Sequence, residues 1–126
     1  MGSMNFQVDV EDDGTLVVLR LRGALDLGTM RQVEGAVEEH CRGRQALVID
    51  MRELEFMDSS GLRLMIELNA RDDGTTVAFR APPDRVGRVL DMTGVRETFK
   101  WVTDPSDALS ANSRASTSVK DGGSEP

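Results

Sequence analysis

The chain has 126 residues, a formal net charge of -7 and 39% hydrophobic residues. That is the length of a single domain, and an acidic balance argues against a grip on nucleic acid, which needs clustered cations to displace counterions from phosphates. With one His and one Cys, it has no internal disulfide, no evident zinc ligand set and little His-based acid–base chemistry, so an ordinary enzyme is disfavoured and a reduced, cytoplasmic setting is expected.

Met1-Gly2-Ser3 precede a second Met and read as a cloning remnant, residues 1–3, ahead of a natural start at Met4. Phe6, Val8 and Val10 alternate with polar residues, the pattern of a half-buried strand. Asp12-Asp13-Gly14 is a turn, and the apolar run Leu16 to Leu21 is a second strand paired with the first as a hairpin. Gly23 to Gly28 is expected as a loop, with Thr29 and Asp26 competing to cap a helix on which Met30, Val33, Val37 and Cys41 share a stripe. Gly43 stops that helix. Ala46 to Ile49, short, apolar and β-branched, reads as a buried central strand, and Met51 to Met57 as a loop after it. Asp58-Ser59-Ser60-Gly61 opens a second helix with Leu62, Met65, Ile66 and Asn69 on one stripe. Asp72-Asp73-Gly74 ends it, and Thr75 to Phe79 is another strand. Pro82 and Pro83 open a third helix with Val86, Val89, Leu90 and Met92 on its apolar face, closed by Gly94. Phe99 to Val102 is a last short strand and Pro105 to Leu109 a helical turn. From Ser110 to Pro126 the chain is Ser, Gly, Ala and Asp with almost nothing apolar; it cannot offset its ordering entropy and is expected to be a disordered tail. No apolar stretch approaches the ~20 residues that span a bilayer, so no membrane insertion is expected.

The order β-β-α-β-α-β-α-β-α specifies an α/β domain over residues 4–109. Crossover connections make most of the sheet parallel, and the first hairpin makes it mixed.

The segment Phe56-Met57-Asp58-Ser59-Ser60-Gly61-Leu62 carries the chemistry. It opens a helix, whose first N–H groups lack intrahelical partners and carry partial positive charge. A phosphate on Ser59 would sit in that field, bringing about -1.5 to -2 charges and three acceptor oxygens. The same residues also make a plain N-cap, and on spacing alone the cap is the favoured reading.

Three segments together resemble the STAS-domain anti-sigma factor antagonists: Gly23-Ala24-Leu25-Asp26 with Thr29, then Phe56 to Leu62, then Leu90-Asp91-Met92-Thr93-Gly94-Val95. The resemblance covers roughly Val8 to Leu109. It implies a single STAS-like domain, a mixed, mostly parallel sheet of about four to five strands with helices mainly on one face. It implies no catalysis and no cofactor. The unphosphorylated form would bind an anti-sigma factor that is also a serine kinase, releasing a sigma factor. The kinase would phosphorylate Ser59, and a metal-dependent PPM-type phosphatase would restore the binding form. Asp26, Thr29 and Asp58 match positions beside that Ser and are carried over as contributors to partner recognition. Ser60 and Gly61 match residues that shape the helix start, and Met92, Thr93 and Gly94 match a segment closing the third helix near the same face. Arg63 departs from relatives, which often have a small residue there; it could pair with a phosphate or an acidic partner, or be solvated.

The remaining chemically notable residues have structural readings. His40 suits a helix C-terminus, and Cys41 lies on the apolar stripe. Glu11, Asp12 and Asp13 lack the spacing of a calcium loop. Arg85, Arg88 and Arg96 read as a solvated face, and Trp101 as packing. Met51, Met57, Met65 and Met92 fill core by default. Two other functions compete: a STAS scaffold within a transporter or other assembly, and a small hydrolase with Ser59 as nucleophile. The second has no base near that Ser, since His40 lies at the far end of another helix.

Overall fold

The computed structural model describes residues 5–109; the expected remnant at 1–3 and tail at 110–126 lie outside the described residues. Strand β1 (Gln7–Asp12) turns back into β2 (Leu16–Leu25), helix α1 (Met30–His40) crosses to β3 (Ala46–Met57), α2 (Ser59–Asn69) crosses to β4 (Thr76–Arg80), and α3 (Asp84–Thr93) is followed by a 3-10 turn, Val95–Thr98. The sheet order is β1-β2-β3-β4, with β1 antiparallel to β2 and the other neighbours parallel. Among the described residues the fifth strand expected at Phe99 to Val102 reduces to a single parallel bridge, Trp101 beside Phe79.

The period-2 pattern of each strand sorts its residues between two faces. Val17, Leu19, Leu21, Leu47, Ile49, Met51, Val77 and Phe79 face the three helices and join Val33, Val37, Leu62, Met65, Val86 and Leu90 in one core. Phe79, Phe99 and Trp101 stack at its edge, with the first two ring centroids 4.6 Å apart. The opposite face carries Val18, Val48 and Ala78, covered by Ala108 and Leu109 of the last turn. The α-helices thus lie on one face, as expected.

Two expected loops are strand instead. β2 runs through Gly23 to Leu25, and β3 through the expected loop to Met57, with Ala24 beside Phe56 and Leu25 beside Met57. The register shifts twice, between Arg20 and Arg22 and between Gly23 and Ala24. Each shift inserts one extra residue in β3, so Met51, Leu54 and Met57 are buried at a spacing of three. That breaks the period-2 signal and makes the segment read as irregular. Gly23 is required at the second shift: its φ is 92°, and a Cβ there would stand 2.0 Å from the Asn5 carbonyl oxygen.

Two apolar assignments also change. Ile66 is exposed, while Leu64 and Leu68 are buried. Met92 is 83% exposed rather than part of the α3 core face, which is Val86, Gly87 and Leu90. Arg96, expected on a solvated face, is half-buried instead, bonded to Asp91 and the Gly87 carbonyl and set over the Trp101 ring. Several other residues keep their structural readings. Cys41 is buried, and Trp101 donates its ring N–H to the Arg96 carbonyl at 2.8 Å. Asp12 and Asp13 accept backbone N–H groups of the hairpin turn. His40 lies 3.1 Å from Asp12, which also takes a two-pronged bond from Arg44.

Candidate functional site

The long β2 and β3 strands deliver their two following connections to the same place. The Asp58 amide donates to the Leu25 carbonyl at 3.3 Å, which ties the β3–α2 connection to the end of β2. Asp58 is the N-cap of α2, with extended backbone. Its Oδ1 accepts the amides of Ser60 at 2.9 Å and Gly61 at 3.2 Å, and its carbonyl accepts Leu62 at 3.1 Å. Gly61 sits against β2: a Cβ there would lie 2.7 Å from Met57 Cγ and 3.0 Å from both Leu25 Cγ and the Leu25 carbonyl oxygen. No other residue allows the helix start to approach this closely.

The facing connection is built by Asp26 and Thr29. Asp26 Oδ1 accepts the amides of Gly28 at 3.0 Å and Thr29 at 3.1 Å. The Thr29 hydroxyl accepts the Asp26 amide at 3.0 Å and donates to the Ala24 carbonyl at 2.8 Å. Thr29 makes no side-chain cap of α1; its hydroxyl instead pins the loop to the end of β2. Asp26 does not cap α1 either: its carboxylate holds the amides of Gly28 and Thr29, which lie ahead of the first helical residue, Met30.

Ser59 is exposed at the first position of α2, with Ser60 half-buried and Arg63 exposed on the next turn. One expectation changes here. Two of the N–H groups at the helix start, those of Ser60 and Gly61, are engaged by the Asp58 carboxylate, so a phosphate on Ser59 would meet a carboxylate beside a partly occupied cap. Asp26, Thr29, Asp58, Ser59, Ser60 and Gly61 are brought together, with Arg63 one turn along. Met92, Thr93 and Gly94 are not joined to them by any hydrogen bond found among the described residues. Thr93 bonds back to Val89 and Leu90, and Gly94, at φ 73°, closes α3. The 3-10 turn that follows ends at Thr98, whose carbonyl accepts from Asn69 at the end of α2 opposite Ser59.

The structure adds two residues that sequence reasoning missed. Leu27 is 67% exposed in the Asp26 connection, and Phe56 is 44% exposed beside Ala24. Both apolar side chains stand in water beside the polar connections. Phe56 carried a signal, since it stands in the motif; the loop reading of Met51 to Met57 hid which way it faces.

This geometry has counterparts. The family model described as "Mlab, STAS domain" matches residues 8–103. An anti-sigma F factor antagonist from Paenibacillus polymyxa is 34% identical over 98 residues, 73% of this chain and 82% of that protein. The chain belongs to the STAS-domain anti-sigma factor antagonist family. The crystal structure of an anti-sigma factor antagonist from Mycobacterium paratuberculosis superposes with a TM-score of 0.72 at 27% identity, covering 86% of this chain and 95% of that one. The unphosphorylated form of the anti-sigma factor antagonist SpoIIAA gives 0.58 at 25% identity, covering 92% and 100%. These relatives are named for antagonism of a regulator, which is binding and not catalysis. The STAS-domain chain described here has no helix among its described residues that is long and apolar enough to cross a membrane.

Proposed function

We propose that this STAS-domain protein is an anti-sigma factor antagonist switched at Ser59. The unphosphorylated form binds an anti-sigma factor that is also a serine kinase, and a sigma factor is released. The kinase then transfers the terminal phosphoryl group of ATP. A bond forms from Ser59 Oγ to phosphorus, the bond to the departing ADP breaks, and the hydroxyl proton goes to a base on the kinase. A PPM-type serine phosphatase removes the phosphate and restores binding. The exchange takes place in the cytoplasm.

The observation that supports this reading is the placement of Ser59. It is exposed, at the first position of a helix fixed by Asp58 and Gly61, with the exposed apolar Leu27 in the facing connection and Phe56 near the end of β3. A dianion added there changes the surface a partner would cover without entering the core. Like charges brought together at an interface cost several kcal/mol, so phosphorylation is expected to weaken binding by about tenfold or more.

The test uses the purified cognate kinase and labelled ATP. Label should appear on the wild-type chain and vanish in Ser59→Ala. Ser59→Ala should still bind the kinase, and Ser59→Asp should bind weakly. Labelling that survives Ser59→Ala, or equal affinity for the two variants, refutes the switch.

A further inference from the structure

Arg63 stands one turn along α2 from Ser59, and both are exposed. Residues four apart lie one above the other on a helix, and a long side chain covers the turn N-terminal to its own Cα. An anion followed by a cation at this spacing is the favourable order. Arg63 is also uncommitted: its Nε lies 4.0 Å from Glu67, and the two side chains are 64% and 59% exposed. The backbone donors that would otherwise receive a phosphate, the amides of Ser60 and Gly61, are held by Asp58. The Asp58 carboxylate also repels an incoming dianion. A phosphoryl group on Ser59 is therefore pushed away from the cap and toward the cation one turn on.

We propose that Arg63 reads the phosphorylated state, exchanging its loose contact with Glu67 for the phosphate on Ser59 and holding that group along the outer face of α2. The inference rests on Ser59 as phosphoacceptor. It assigns Arg63 to the modified form of the protein, where the phosphate is oriented on the helix instead of moving freely.

The test needs no kinase: phosphoserine is installed at position 59 during translation, and the phosphate is titrated by 31P NMR at low ionic strength. Asp58, Asp26 and Glu67 are the carboxylates nearest in the two connections and the helix, and all three are common to every variant. The difference between wild type and Arg63→Gln therefore isolates the guanidinium. A neighbouring cation favours the dianion, so the second phosphate pKa should be higher in Arg63→Gln by about 0.3. Arg63→Lys should fall between them, since an ammonium keeps the charge but not the forked donors. The difference should collapse toward about 1 M salt. Gln is as good a helix former as Arg and the site is exposed, so the fold is retained, which circular dichroism verifies. An equal or lower value in Arg63→Gln at low salt overturns the proposal. Absence of kinase labelling at Ser59 would instead refute the switch and leave this comparison unchanged.

Discussion

The same substitution at two helical glycines should have opposite effects. Gly35 lies in the middle of α1, exposed, with nothing within 4 Å of where a Cβ would stand. Gly35→Ala gains only the helix preference of Ala over Gly and should stabilise the fold by about 0.5–1 kcal/mol. Gly61 lies in the first turn of α2, where the new Cβ meets Met57 Cγ at 2.7 Å and the Leu25 backbone oxygen at 3.0 Å. Met57 can turn aside, but the Leu25 carbonyl is fixed in β2. The helix start must back away by several tenths of an ångström. Overpacking of this kind costs about 1–3 kcal/mol, which exceeds the propensity gain, so the net loss is about 1 kcal/mol. Thermal unfolding followed by circular dichroism should then place Gly61→Ala about 5 °C below wild type and Gly35→Ala a few degrees above it. The displacement also moves Ser59, so Gly61→Ala should lose affinity for the anti-sigma partner while Gly35→Ala binds normally. A Gly61→Ala protein as stable as wild type would refute the claim that close contact with β2 sets the position of the helix start.

Asp58 can be tested as cap and as charge separately. Asp58→Ala leaves the Ser60 and Gly61 amides without their acceptor and should cost about 1 kcal/mol in urea unfolding, whereas Asp58→Asn keeps the cap and should cost less than half of that. On the face of the sheet away from the three helices, Asp50 is fully buried beneath Arg20, Arg52 and Arg80, with Arg52 donating at 3.0 and 2.9 Å. Burial raises the Asp50 carboxyl, but the bonds from Arg52 outweigh it and the group is held below the usual range. Asp12 is likewise lowered, chiefly by Arg44. A carboxyl whose folded pKa is depressed contributes stability above its unfolded value, near about 4, and that contribution is lost as pH falls toward the folded value. Melting temperature should therefore fall below about pH 4, and Asp50→Asn should flatten that fall. At pH 7 the same variant should lose about 3 kcal/mol, the lower end for a broken buried pair, because Arg52 keeps half of its side chain in water.

What the sequence showed and what it hid follow from one physical distinction. Helix caps, turn residues and short apolar runs act locally, so the three helices, the hairpin, the order of the elements through α3 and a cap at Asp58 or Ser59 were legible. The features that were misread depend on a partner strand. Met51 to Met57 lacks alternation because two residues of β3 have no counterpart in β2, and no local pattern records a register shift. Met92 comes two residues after Leu90, which turns it to the side of α3 opposite the buried Val86, Gly87 and Leu90, and it is exposed. The candidate site shows both kinds of information. Asp58-Ser59-Ser60-Gly61 was readable as a helix start that could carry an anion. Its rigid seat was not, because it depends on Gly61 pressing against Leu25, a residue far away in the chain. The occupied cap then redirects the chemistry. With the Ser60 and Gly61 amides already bound to Asp58, a phosphate at Ser59 reaches those two donors only by displacing that carboxylate. The charge is left on the surface, which is where a binding switch needs it.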